Sequence, residues 1–554
     1  MTTGAVGTTR IICLGGSGEI GRNMLAVESE GAILVIDCGL SFPTDEMLGV
    51  DLVLPDFSYV TDRAEDCVGV VLTHGHEDHV GALSWFLKEV PVPVYGTPLT
   101  LGIAARRLRE WDVEAEFVEI QAPGGRSIGP FSCRFLAVAH SIPDCIAIAL
   151  DTPGGRILYT SDFKLDNTPI DGRRTDLQGF ARLGAEGVDL MLSDSTNAER
   201  PGRTPSERVV GETLRRIFEN ASGRIVVACF ASNLHRLQQV CEIAERLGRK
   251  VAFVGRSMIE NVEVGRDLGH IRVADGTIID VDELDAHSPE KTVVACTGSQ
   301  GEPLSALSLI SVGEHKVVKV APGDTVILSA SPIPGNEPAV HRVLNGLYRA
   351  GADVYHSETS PVHVSGHAAA DELAEMLATV APLNFAPVHG EYRQLATHAR
   401  IAQETGIRRD AITIVEDGDV IELSNGRVRV GDRIQAGMVF VDGLGVGDVG
   451  PVVLRDRRVL AGDGVVVCVV TIDGQTGEVL AGPDLITRGF VFEERSRAFL
   501  DDAADRVAEA LEVLEADGVT EWSTIKKACR GALGEFVWAE TRRRPMILPI
   551  IMEV

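Results

Sequence analysis

Six short runs of valine, isoleucine and leucine in this 554-residue chain end on, or just before, a residue able to bind a metal, and that recurrence narrows the possible folds. The run 33–36 ends at Asp37, 68–72 at Thr73-His74, and 135–139 at His140. The run 157–160 precedes Ser161-Asp162, 190–192 precedes Ser193-Asp194, and 383–388 ends at His389. Apolar runs of this length bounded by polar residues read as buried strands. Strands that all deliver His or Asp at their C-terminal ends place those side chains on one sheet rim, where loops gather them from distant sequence.

The densest of these points is Thr73-His74-Gly75-His76-Glu77-Asp78-His79, three histidines and a carboxylate within six residues. Imidazole nitrogen and carboxylate oxygen suit zinc, and four such donors on one strand-to-loop turn converge only around a cation. A solvated polar turn would not require three imidazoles at this spacing.

Charge and cysteine usage bound the function. A formal net charge of −28 points away from a generic polyanion binder, so contact with nucleic acid has to be local, at a point where bound dications reverse the field. The basic clusters 106–109, 173–174, 215–216 and 542–544 read as solvated faces. Ten cysteines without a Cys-x-x-Cys pair argue against a disulfide framework and against a thiolate zinc site. They fit a reducing compartment. No apolar run is long enough to span a bilayer, and residues 1–9 lack the flanks of a signal peptide, so a cytosolic location is expected.

Between about 204 and 355 the texture changes. Helical patterns at 206–220, 234–247 and 339–350 alternate with strand patterns at 224–229, 251–254, 292–296 and 326–329, the rhythm of an inserted parallel α/β domain. The first pattern then resumes, with a helix near 368–379 and the strand ending at His389. The glycine-rich stretch 443–450 reads as a hinge to a small α+β unit, in which 498–516 is a helix with ordinary core spacing and 543–551 a strand.

Gly16-Ser17-Gly18-Glu19-Ile20-Gly21 matches a dinucleotide fingerprint, with Asp37 near the ribose-binding distance. That fingerprint needs a helix between its strands. Here 24–29 and 32–37 read as two strands joined by Glu30-Gly31, which leaves no room for one, so a β-hairpin is expected and a dehydrogenase is the remote reading.

The motif His74-x-His76-x-Asp78-His79, with Asp37 before it and His140 and Asp162 after it, resembles the metallo-β-lactamase hydrolases. Asp194 in Leu192-Ser193-Asp194-Ser195-Thr196-Asn197, then His363-Val364-Ser365-Gly366-His367, then Pro387-Val388-His389-Gly390-Glu391 resemble the further motifs of the β-CASP branch, which acts on nucleic acids. The stretches 297–303 and 331–337 are similar to those of bacterial ribonuclease J, and the likeness runs from about Arg10 to Val554. Ser17 stands where a Leu is common in that family. Asn233 is read as standing where a His is common in Ser-x-x-His-Arg.

The resemblance implies an α/β fold: a metallo-β-lactamase αββα sandwich (1–203 and 358–445) interrupted by a β-CASP α/β domain (204–357), a linker (446–456), and a small C-terminal α+β domain (457–554). It implies two Zn(2+) per subunit, with Mn(2+) as an alternative: His74, His76 and His140 at one, Asp78, His79 and His389 at the other, Asp162 bridging. Asp78, Asp194 and His367 are assigned to catalysis, His367 as general acid or, in the alternative reading, only as a hydrogen-bond partner of a phosphate, with Asp194 tying it in place, and Asp37 orients a ligand histidine. Ala231, Ser232 and Asn233, with His363, Val364, Ser365, Gly366 and His367, are assigned to the substrate phosphate; Ser232 is also a candidate helix cap. A structural Ca(2+) is implied at Gly49, Asp51 and Asp442. His235, His270, His287, His315, His341, His356 and His398 have no ligand-like setting.

The activity implied is a zinc-dependent ribonuclease working 5′-to-3′ on 5′-monophosphate single-stranded RNA, with endonuclease cuts, in RNA processing, maturation and mRNA decay. A homodimer or homotetramer and RNA-degradation complex partners are implied as well. The alternatives are a small-molecule or thioester hydrolase of the same metal fold and a non-catalytic RNA-binding scaffold.

Overall fold

The computed structural model describes residues 7–302, 304–333, 335–491 and 497–554. Pro303 and Pro334, within the motifs 297–303 and 331–337, and residues 1–6 lie outside them. The chain divides into two compact units, one of Met1–Phe42 with Leu52–Val439 and one of Pro43–Asp51 with Phe440–Val554. No helix among the described residues is long and apolar enough to cross a membrane.

In the larger unit two sheets stack. One has eight strands among the described residues, with Thr8–Gly15, Met24–Ser29, Ala32–Ile36 and Cys67–Val71 at its centre. The other has six, with Asn384–Val388, Leu190–Asp194, Gly155–Tyr159, Ile146–Thr152 and Phe131–Ala137 side by side. Alternation places every second residue on the inner face. Ile11, Cys13, Leu25, Val27, Leu34 and Ile36 from one sheet meet Phe131, Cys133, Phe135, Ile146, Ile148, Leu190 and Leu192 from the other in a single core. Each large apolar side chain buried there contributes about 1.5–3 kcal/mol of transfer free energy. Helices such as Pro98–Glu110 and Tyr392–Glu404 pack on the outer faces.

Strands Met24–Ser29 and Ala32–Ile36 pair antiparallel across Glu30-Gly31, with no helix between them. The hairpin expected in place of a dinucleotide fold is therefore what forms.

The inserted region carries its own six-stranded sheet among the described residues, with Lys250–Val254, Thr292–Cys296, Ile225–Ala228, Thr325–Leu328 and Asp353–His356 in parallel register. Its two family-like stretches meet through Gln300, whose Nε2 donates to the Ser331 carbonyl (3.0 Å) and whose Oε1 accepts from Ile333 N (2.7 Å). Arg106 of the sandwich ion-pairs with Glu260 of the insert.

In the smaller unit Val465–Ile472 lies between Val479–Arg488, antiparallel, and Met546–Glu553, parallel. Val466, Cys468, Val470 and Ile472 bury against Val507 and Leu511 of Arg497–Ala516 and Ile525, Cys529 and Leu533 of Trp522–Thr541. The segment read as a linker, 446–456, runs into the helix Pro451–Asp463. All ten cysteines are free and buried, in keeping with the absence of a disulfide pattern in the sequence.

Candidate metal centre

Strand direction brings the ligands together. Ala32–Ile36 and Cys67–Val71 are parallel neighbours, so Asp37 and His74 leave at the same edge. Gly155–Tyr159, Leu190–Asp194 and Asn384–Val388 are also parallel neighbours, which sends Asp162, Asp194 and His389 to one rim. Three of the turning residues, Asp37 (φ 60°), Ser161 (φ 54°) and His389 (φ 52°), adopt left-handed backbone. This costs a non-glycine residue roughly 1–3 kcal/mol, and the bends turn Asp37, His389 and, after Ser161, Asp162 toward the shared rim.

Two candidate ligand sets result, His74, His76, His140 and Asp162, and Asp78, His79, Asp162 and His389; within each set the donor atoms lie within 4.8 Å of one another. Asp162 belongs to both. A third set, Asp162, Asp194, His367 and His389, overlaps them.

Hydrogen bonding on the outer side of each ring decides what it shows the centre. His140 Nδ1 faces the Gly366 carbonyl at 2.8 Å, which only accepts, so Nδ1 donates and Nε2 carries a lone pair. That Nε2 lies 3.1 Å from His76 Nδ1, which is also 3.1 Å from His74 Nε2. His79 Nδ1 is 2.8 Å from Asp37 Oδ2, leaving its Nε2 toward Asp162 at 3.4 Å and Asp78 at 3.7 Å. His389 Nε2 is buried without a hydrogen-bond partner, 3.5 Å from Asp78 Oδ2. Lone pairs and carboxylate oxygens that converge this way repel one another unless a cation sits among them, so the donors fit a divalent metal.

Charge states agree. Burial draws His76 down to about 4 and His74 and His140 well below their usual range, so these rings are neutral and able to offer a lone pair to a metal. At His79 burial acts downward too, but Asp162, Asp37 and Asp78 outweigh it and push the group well upward. The carboxylates that attract a proton there would be satisfied by a metal.

Asp37 accepts from Thr73 N (2.7 Å), Thr73 Oγ1 (2.8 Å) and His79 Nδ1, the usual setting of a carboxylate that fixes a ligand ring. Asp37→Ala is expected to weaken metal binding about 10–100-fold, read by competition with a chelating dye. Affinity equal to wild type would remove that role.

The loop that carries His367 is held from several sides. His367 Nδ1 bonds Asp194 Oδ2 at 2.8 Å, and its carbonyl accepts from Asn197 Nδ2 (3.0 Å) and Thr204 Oγ1 (2.6 Å). Lys164 Nζ donates to the Ser365 carbonyl (3.2 Å) and Arg236 Nη1 to the Val362 carbonyl (2.7 Å), while Arg236 Nη2 pairs with Glu207 at 2.8 Å. Burial pulls His363 down to about 4, and its Nδ1 has no partner. A Cβ on Gly366 would stand 2.6 Å from His140 Cε1, so only glycine lets the loop approach the ring. Gly366→Ala is therefore expected to displace His140 or the loop and to lower kcat/KM on the order of 10²-fold, with far-UV circular dichroism unchanged.

Some residues assigned from sequence sit differently, and some were missed. The helix Leu234–Arg246 is capped by Asn233, whose side chain accepts from Arg236 N at 3.0 Å, and not by Ser232. The departure read at Asn233 does not hold, since Ser232, His235 and Arg236 give Ser-x-x-His-Arg unbroken. His235, set aside as a plain histidine, faces Asp171 at 3.3 Å beside that pair. His398 is a core residue bonded to Ser195 Oγ at 3.0 Å. Asn23, which no motif marked, reaches His79 Nε2 (3.0 Å) and Asp78 Oδ2 (3.3 Å).

In the smaller unit, Asp51 Oδ2 accepts from Gly443 N at 2.8 Å, while Asp442 pairs with Arg457, whose Nη1 also donates to the Leu48 carbonyl at 2.9 Å beside Gly49. A guanidinium already supplies positive charge there, and as arranged these residues do not fit a calcium ion.

A rim of histidine and aspartate over two stacked sheets, with an α/β insert, defines a metal-dependent hydrolase of the metallo-β-lactamase type. Residues 17–202 match the family described as "Metallo-beta-lactamase superfamily", and 356–412 match "Zn-dependent metallo-hydrolase RNA specificity domain". Residues 222–347 match "Ribonuclease J, beta-CASP domain" and 452–554 "Ribonuclease J C-terminal domain". The chain is 46% identical over 549 residues to Ribonuclease J of Mycobacterium tuberculosis, covering 99% of this chain and 98% of that one. It is 42% identical to Ribonuclease J 1 of Streptococcus pyogenes (98% and 97% covered) and 40% identical to Ribonuclease J2 of Bacillus subtilis (98% and 98%). The chain belongs to the ribonuclease J family, and is a metal-dependent nuclease with RNA as its substrate class. A solved structure, a protein of unknown function from Enterococcus faecalis V583, covers 75% of this chain and all of its own at 16% identity and TM-score 0.53, a likeness of fold alone.

Proposed function

We propose that this chain is a two-zinc ribonuclease that degrades single-stranded RNA 5′-to-3′ from a 5′-monophosphate and also cuts internally. The observation that carries this reading is the sharing of Asp162 by two ligand sets beside a loop backed by the buried cations Arg236 and Lys164. His74, His76 and His140 would hold one zinc, and Asp78, His79 and His389 the other. Metals bound there supply an activated water and several kcal/mol of stabilisation for the charge on phosphate.

The remaining work falls to side chains. Asp37 keeps His79 in the tautomer that offers Nε2 inward. His367, with Nδ1 committed to Asp194, turns Nε2 toward the leaving 3′-oxygen and donates the proton that a poor leaving group needs. Ala231, Ser232 and Asn233 at the start of the helix Leu234–Arg246 offer backbone N–H groups to the 5′-phosphate, with the 363–367 loop opposite.

The test compares 5′-monophosphorylated with 5′-hydroxyl RNA, and both with a lactone and a thioester, with and without chelator. Phosphorylated RNA should be consumed from its 5′ end at least about tenfold faster than hydroxyl RNA, since lost hydrogen bonds to a charged group cost about 1.5–3 kcal/mol. Chelator should stop both. Turnover of the lactone or thioester with RNA left whole would overturn the proposal.

A further inference from the structure

Few aromatic rings of the larger unit stand open to solvent. Among its described residues the exposed phenylalanine, tyrosine and tryptophan rings are Phe42 (61%), Tyr348 and Tyr392 (54%), and the Tyr348 hydroxyl is engaged by the Val354 carbonyl. The other two belong to segments that also carry residues of the metal centre. Tyr392 follows His389 by three residues and begins the helix Tyr392–Glu404. Phe42 lies five residues beyond Asp37, on a segment whose Leu40 N bonds the Glu77 carbonyl within the ligand turn at 3.1 Å.

The two segments are also linked through Gly18 and Gly21. Glu391, beside Tyr392, pairs with Gly18, and three residues on a Cβ at Gly21 would stand 3.0 Å from Ser41 Cβ, beside Phe42. Among the described residues neither ring has an aromatic or cationic group against it, whereas the exposed Trp522 and Trp538 of the smaller unit are covered by Lys526, Arg542 and Arg544. A large bare aromatic face at the mouth of a polar site is the setting in which nucleobases stack, and stacking tolerates any base because every base has a π-face.

We infer that Phe42 and Tyr392 are stacking platforms for unpaired RNA bases that flank the scissile phosphate, so that this nuclease grips its substrate near the cut by base planes and without sequence readout. The inference rests on the reading of the adjoining centre as one that cleaves RNA. It explains how a chain of net charge −28 holds a polyanion: stacking needs no broad basic surface.

The experiment uses the full chain with zinc and a single-stranded, 5′-monophosphorylated oligoribonucleotide, intact or with one abasic nucleotide moved along it. Phe42→Ala and Tyr392→Ala should each raise KM on intact RNA roughly ten- to a hundred-fold, with kcat falling much less. On RNA abasic at the position each ring serves, alanine should add no further loss. Phe42→Trp and Tyr392→Phe should restore KM for any base at that position. Alanine variants within twofold of wild-type KM, or losses equal on intact and abasic RNA, would overturn the stacking role. Wild type that leaves RNA whole with metal bound would instead overturn the reading of the centre, and this role with it.

Discussion

Asp162→Asn is expected to lower RNA cleavage on the order of 10³-fold or more while the protein stays folded. Asp162 Oδ1 accepts from His389 Nδ1 at 2.8 Å, and Oδ2 lies 3.4 Å from His79 Nε2 and 3.6 Å from both His74 and His140 Nε2. Asparagine preserves the volume and replaces an anionic oxygen with an amide that aims hydrogens at ring lone pairs. The lost charge weakens both ligand sets together, and several kcal/mol of transition-state stabilisation goes with it. Elemental analysis alongside turnover decides the matter: two metals retained with turnover within tenfold of wild type would refute a shared carboxylate.

His367→Ala is expected to lower kcat by about 10²–10⁴-fold with metal content unchanged, the usual contribution of a positioned proton donor. The sharper comparison uses RNA with a bridging 3′-sulfur at the scissile bond, a leaving group that needs little protonation. There the variant should recover most of the loss. If the sulfur substrate suffers as much as the oxygen one, His367 holds the phosphate and does not move a proton. The pH profile carries the same information. Burial lowers the His367 pKa, but Asp194 and Asp162 raise it further, for a net upward shift. An acid must be protonated to act, so the rate that depends on it persists at neutral pH and is lost as pH rises through the elevated value. Alanine should erase that alkaline limb.

Much of this centre was legible in the sequence because its signals are local. An apolar run that stops at His or Asp announces both a strand and what the strand delivers, so the rim was readable from 33–37, 68–74 and 383–389 before any strand order was known. The insert's alternating patterns were likewise readable to within a few residues at most ends.

What escaped was whatever depends on spatial neighbours. Lys164, Glu207 and Thr204 look like ordinary polar residues, and only packing shows them bonded around the loop 362–367. Asn23 stands just past a glycine-rich stretch, 16–21, that mimicked another fold. The left-handed bends at Asp37, Ser161 and His389 have no sequence mark, because tertiary structure imposes them against local preference. Asn233 shows a different failure: a motif aligned two residues out of place obscured His235 and Arg236, which spacing alone would have supplied.

The scatter of ligands along the chain also orders events during translation. A ribosome that has made residues 74–162 has produced every member of one ligand set, yet the other set stays incomplete until His389 emerges, after the whole inserted domain. Nascent chains shorter than that lack a complete second set, so on the proposed reading the cutting power arises only after the inserted domain has been made.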